Sequence, residues 1–140
     1  DEYFCPALTT IGAHGATPFA SKIDKGEMAA RLANMPNEEV RRKWATVSET
    51  GYSEEELADA RRKLGNCIAR LEGLLGDGRR WLVGDEYSLA DIKWYSMTPA
   101  LPRMMPDACN PQATPAIAGW LERMAARPAV TALPQYAPRR

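Results

Sequence analysis

The chain has 140 residues and a mass of 15.5 kDa, with 45% hydrophobic and 26% charged residues. That is the profile of a globular protein with enough chain to bury a core. Lys plus Arg number 18 and Asp plus Glu number 18, so the formal net charge is zero, and nothing in this balance points to nucleic acid or an anionic membrane as partner.

No apolar run reaches the length of a transmembrane helix, and no charged n-region leads into an apolar stretch. Cys5, Cys67 and Cys109 form an odd, scattered set. Such a set argues against a secreted disulfide framework and for reduced thiols in the cytoplasm. One histidine and no CxxC pair give a zinc site no support, so no metal is expected.

The chain starts at Asp1 and enters a helix-forming stretch, DEYFCPAL, with no lead-in. It reads as a piece of something longer. Tyr3, Phe4, Ala7, Leu8 and Ile11 recur at helical spacing. Pro6 suits only the first turn of such a helix, and Gly12, Gly15 and Pro18 should weaken or bend it. The pattern predicts short helices over Glu27 to Asn34 and Asn37 to Ala45.

A longer helix follows. Ser53 with Glu56 three residues on is a capping box, in which each side chain satisfies a backbone N–H left unpaired at the helix start. Leu57, Ala60, Leu64, Cys67, Ile68, Leu71, Leu74 and Leu75 then form one apolar stripe, with Asp59 and Lys63 paired on the other side. Gly76, Asp77 and Gly78 stop the helix, giving it a length of roughly 33 Å. The cluster Arg61, Arg62 and Lys63 reads as a solvated face, its bases placed after the acids of the first turn.

WLVGDEY is a short connection. Ser88 then caps a helix whose inner face is expected to carry Leu89, Ile92, Tyr95 and Ser96, until Pro99 and Pro102 end it. Ser88 and Asp91 repeat the capping-box spacing, and Tyr87 can pack on Ile92 as a hydrophobic staple. Asp91 thereby reads as a structural carboxylate, held ionised by backbone donors. Residues 102 to 113 read as a Pro-rich loop. Thr114 and Pro115 make a cap with Pro at the first helical position, opening a last long helix with Ile117, Trp120, Leu121 and Met124 on its stripe. Arg127 and Pro128 end it. Of the four tryptophans, Trp94 and Trp120 are expected in the core. No segment alternates like a strand, so the fold class is all-α, a helical bundle of about five or more helices.

The run WLVGDEYSLADIKWY resembles the start of the buried core helix in the C-terminal domain of cytosolic glutathione transferases. The long capped helix before it, the Pro-rich break, and AIAGWLERMAARPAV after it agree in order and spacing. DEYFCPALTTIGAHG resembles bacterial members related to the glutathione-dependent β-etherases. The resemblance implies one helical domain over residues 1–140, with the N-terminal thioredoxin-like domain of the family absent. Glutathione would be a co-substrate bound mainly by that other domain, which also carries the catalytic residue, and this chain alone is not expected to be active.

The implied chemistry is attack of glutathione thiolate on a hydrophobic small-molecule electrophile, or cleavage of an aryl ether. This domain would wall the electrophile pocket and, through its first helix, help form a homodimer. Tyr3, Phe4, Leu8 and Ile11, with Tyr136 from the tail, are the implied pocket residues, and core packing is the alternative for each. His14 could protonate a leaving group or bind a glutathione carboxylate; it could equally be a solvated turn residue. Cys5, in the first helical turn, is either a reactive thiol or a buried one. The other reading of the whole chain is a stand-alone protein-interaction module of the same shape.

Overall fold

The computed structural model describes residues 4–20 and 22–132, and at Phe4, Cys5 and Phe19 the backbone only. Contacts divide the chain into two compact units, Asp1–Leu64 and Gly65–Arg140. Among the described residues every extended element is helical; a single antiparallel bridge joins Trp81 to Gly84. The all-α expectation holds.

In the first unit, α1 (Phe4–Gly15) continues through Gly12, and α2 (Thr17–Ala20) follows after one residue. Gly12 therefore weakens the helix without breaking it. The Asp24 carboxylate opens α3 (Lys25–Ala33) by accepting from the N–H groups of Gly26 and Glu27 at 2.8 and 3.1 Å. Asn37 does the same for α4 (Glu38–Glu49), taking the Val40 N–H at 3.0 Å. This helix outruns its predicted end at Ala45. The Thr46 and Ser48 hydroxyls fold back onto the carbonyls of Arg42 and Ala45 instead of competing for the backbone from outside. Gly51, at φ +70°, turns the chain, and its N–H closes onto the Thr46 carbonyl. Against α4 pack α1, α2 and α3, around a core of Ala20, Met28 and Val47 flanked by Ala13, Ile23, Leu32, Trp44 and Tyr52.

The predicted capping box opens α5 (Glu54–Leu75): Ser53 N–H meets Glu56 Oε2 at 2.8 Å and Glu56 N–H meets Ser53 Oγ at 3.2 Å. Leu57, Ala60, Leu64, Ile68, Leu71 and Leu75 are buried as the stripe requires, but Leu74 is exposed and Cys67 only half-buried. On the outer side Asp59 pairs with both Lys63 and Arg62. Past the helix, Asp77 clamps Arg79 through its backbone N–H and guanidinium; the guanidinium holds the Asp77 carboxyl down at about 2.

In the second unit α6 (Leu89–Tyr95) packs on α8 (Pro115–Ala125) and on a one-turn 3-10 helix at Thr98–Ala100, which runs into the short α7 (Leu101–Met104); α9 (Pro128–Thr131) packs on α8. The Pro-rich stretch thus begins with one helical turn before it becomes loop. The inner face of α6 differs from the expectation. Leu89 and Ile92 are 81% and 50% exposed, and Ser96 is exposed, while Asp91 is fully buried.

Ile117, Trp120 and Met124 are buried on α8 as predicted, and Trp81 rather than Trp94 is the second buried tryptophan. The cap of α8 also differs. Thr114 makes no side-chain cap; its hydroxyl donates to the Asn110 carbonyl at 3.0 Å. The first N–H groups of α8, on Ala116 and Ile117, are instead taken by the two carboxylate oxygens of Glu72 at 2.9 Å each. An acid from α5, remote in sequence, supplies both the hydrogen bonds and the charge that a helix start favours.

Both halves of the Ser88–Asp91 capping box are present. Asp91 Oδ2 accepts the Ser88 N–H and hydroxyl at 3.0 and 3.2 Å, and Asp91 Oδ1 accepts the Leu82 N–H at 3.0 Å and the Trp120 indole N–H at 2.9 Å. Burial alone would raise the pKa of this carboxyl. The Leu82, Trp120 and Ser88 donors outweigh it and hold the group below the ordinary carboxylate value. Tyr87 is anchored otherwise than by the expected staple: its ring meets Trp81 edge to face at 5.3 Å, and the Arg127 guanidinium lies 3.3 Å from its centroid, while Ile92 stays half exposed.

Replacing Asp91 with Ala strands buried donors on Leu82 and Trp120, and should lower stability by about 3 kcal/mol or more in a urea melt. The folded pKa is depressed, so the stability Asp91 contributes is present above its unfolded value of about 3.9 and is lost as pH falls through the folded value. Asp91→Asn should accordingly flatten the acid limb of the stability curve below about pH 4, measured by melts across that range. Glu72→Ala should cost about 1 kcal/mol from the lost cap of α8, with no change in that limb's shape attributable to Asp91.

Candidate functional site

Among the described residues, α1 lines two separate grooves of the first unit. Along one face of α1, Thr9, Gly12 and Ala13 recur at helical spacing, followed by Ala16 just past its end. Small side chains at these positions leave space between helices that larger ones would fill. Opposite them α4 contributes Glu39, Val40, Lys43, Trp44 and Val47. The result is an apolar cavity of about 510 Å³, within the range of sites that take drug-sized ligands. Its polar edge is the Lys43–Glu39 pair, Nζ to Oε1 2.7 Å, with Lys43 the less exposed partner. The Trp44 ring supplies a flat half-buried wall.

The second groove, about 390 Å³, is more polar, lined by Pro6, Ala7, Thr10, Tyr52, Glu56, Asp59, Ala60 and Lys63. Burial raises the Tyr52 hydroxyl above the ordinary phenol value; nearby Lys43 opposes this and Glu56 adds to it. Glu56, Asp59 and Lys63 in this groove are already engaged, Glu56 by Ser53 and Asp59 by Lys63 and Arg62.

The expected pocket residues fall as follows. Tyr3 and Tyr136 lie outside the described residues, as does the side chain of Phe4. Ile11 is buried and Leu8 half-buried. His14 sits exposed in the last turn of α1. None of Leu8, Ile11 and His14 lines the α1–α4 cavity, which uses the neighbouring face of the same helix. Sequence reasoning followed the bulky residues of α1 and missed the small ones. The available signal was the spacing of Gly12, Ala13 and Ala16, which marks a face built for close approach rather than for filling.

Neither remaining thiol is placed for chemistry. Burial pushes Cys109 up, with Thr114 Oγ1 3.8 Å from its sulfur, and Cys67 is half-buried. Asp91, saturated by four donors and fully buried, has no lone pair turned to a substrate.

Helix order, the capped core helix with its buried acid and the closing α8–α9 corner together define a class. Residues 23–128 match the family described as glutathione S-transferase, C-terminal domain, and the chain belongs to that family. It is 37% identical over 135 residues to Protein LigF of Sphingobium sp. strain SYK-6, covering 93% of this chain and 52% of LigF. The crystal structure of beta-etherase LigF from that strain superimposes with a TM-score of 0.86 at 34% identity, covering 98% of this chain and 58% of that one. The chain spans about half the length of the curated relative it matches. No helix among the described residues is long and apolar enough to cross a membrane.

Gly12→Leu should separate cavity from stability. Leaving glycine in a helix interior costs about 0.5–1 kcal/mol relative to a good helix former, so the variant should melt at or above the parent. It should also weaken binding of the fluorescent probe anilinonaphthalene sulfonate in a direct titration, because the added side chain occupies the α1–α4 cavity.

Proposed function

We propose that this chain is the helical, substrate-side part of a glutathione-dependent transferase of the β-etherase kind. The observation that carries the reading is its likeness to the beta-etherase LigF over nearly all of its length, in sequence and in structure. An apolar cavity of suitable size on α1 adds support.

In this reading the glutathione-binding part and the group that activates its thiol lie outside these 140 residues. A thiol of pKa about 8.5 is mostly protonated at neutral pH, so it must be ionised there. Thiolate attack on an ether carbon forms a C–S bond as the C–O bond breaks; the aryl oxide leaves and takes up a proton. What the helical part supplies is position and exclusion of water, which convert an encounter into a near-unimolecular step. The apolar face of α1 suits a hydrophobic electrophile. Tyr3, Phe4, Leu8, Ile11 and Tyr136 are the further contacts this reading assigns, with His14 as a solvent-side proton donor and a homodimer as the working assembly. A protein-interaction module is the competing reading.

Two measurements test it. The native protein should run well above 15.5 kDa in its source extract. Incubated with glutathione and a β-aryl ether, it should release phenol in step with thioether formation. A native mass near that of this chain, with no turnover and a co-purifying protein in its place, would overturn the enzyme reading. Within an active protein, unchanged turnover in His14→Gln would remove the proton-donor role.

A further inference from the structure

The α1–α4 cavity is apolar over most of its lining, and its charged stretch is on α4, where Glu39 and Lys43 stand one turn apart. Their heads meet at 2.7 Å, yet the two side chains are unequally placed: Lys43 is 27% exposed and Glu39 65%. The ammonium is the member held back in the cavity wall, and the carboxylate reaches out to water. Next to Lys43 in the chain, Trp44 turns a half-buried indole to the same cavity, with Val40 and Val47 one turn to either side of it.

These placements rank the ligands that the cavity can hold. A flat ring suits Trp44, Val40 and Val47 facing the small Gly12 and Ala13. The polar end of that ligand meets the ion pair. A cationic end would lie against Lys43. An uncharged end would gain one neutral hydrogen bond. An acidic end competes with Glu39 for the ammonium, and the magnitudes favour it. An exposed i,i+4 pair adds little to a helix, so Glu39 can yield its place and stay hydrated. The incoming anion gains a charge-assisted hydrogen bond, roughly twice as strong as a neutral one, at a half-buried cation that water and salt screen less. Lys43, and after it Arg42, already hold the Glu39 carboxyl below its ordinary value; the local field favours negative charge at this spot.

We propose that the α1–α4 cavity takes an aromatic carboxylate, with Lys43 as the residue that selects for the charge and Trp44 as the surface on which the ring lies. This rests on reading the cavity as the substrate side of an ether-cleaving enzyme, and it narrows that reading: the electrophile is an aryl ether whose ring carries an acid group.

The test is fluorescence titration of the intact protein with two probes of one ring skeleton, anilinonaphthalene sulfonate and uncharged N-phenylnaphthylamine. Lys43→Gln should weaken the sulfonate about tenfold and leave the uncharged probe within about twofold. Glu39→Gln, which removes the competing acid at an exposed position, should tighten the sulfonate alone. Trp44→Ala should weaken both probes. Naphthoate should displace the sulfonate from the parent better than naphthol does, and Lys43→Gln should abolish that difference. Equal effects of Lys43→Gln on the two probes, or no effect on either, would overturn the charge selection. Should Lys43→Gln fail to fold, an unchanged sulfonate affinity in Glu39→Gln does the same. None of these readouts involves turnover, so a failure of the ether-cleavage reading is told apart from a failure of the Lys43 assignment.

Discussion

The second unit depends on one buried carboxylate. Asp91 accepts from the Ser88 backbone and hydroxyl, from the Leu82 N–H and from the Trp120 indole. These donors come from the start of α6, from the connection before it and from the middle of α8. A charge fully withdrawn from water is costly unless every acceptor position is filled. Here the cost is offset by bringing three segments to one point, and any displacement of one of them leaves a charge or a donor unpaired. That makes the arrangement steep as well as stabilising, and a single register of α6 against α8 satisfies it. The large indole of Trp120 is buried beside it, so apolar packing and polar satisfaction select the same geometry.

Glu72 extends the logic. It reaches from α5 to cap α8, a task the local sequence seemed to give to Thr114. Thr114 is free for it only on paper, since its hydroxyl turns back to donate to the Asn110 carbonyl. The interior acids of this unit are thus used to fasten helix starts. On the proposed reading, chemistry asked of the enzyme comes from outside these residues, and the helical part contributes shape.

In the first unit α1 has two working faces. Ala7 and Ile11 are buried, as bulky and apolar periodicity requires. Thr9, Gly12, Ala13 and Ala16 face α4 across open space. Small residues tolerate close approach but do not enforce it, and here α4 meets them with Val40 and Trp44 held far enough away to leave a cavity.

Helix positions, the caps at Ser53 and Ser88, the stop after Leu75 and the all-α class were determined by the sequence itself, because each rests on residues three or four apart in the chain. The structural role of Asp91 was legible for the same reason, through its pairing with Ser88. Its bonds to Leu82 and Trp120 were not, nor was the cap from Glu72, because those partners are separated by loops whose closure only the folded chain specifies. The exposure of Leu89 and Ile92 on α6 was likewise decided by tertiary packing: hydrophobic pattern names the apolar face, but the folded chain turns Asp91 inward and leaves those two side chains outside. The α1–α4 cavity belongs to the same class of fact. A cavity is defined by what two helices fail to fill, and that is not written in any local stretch of sequence.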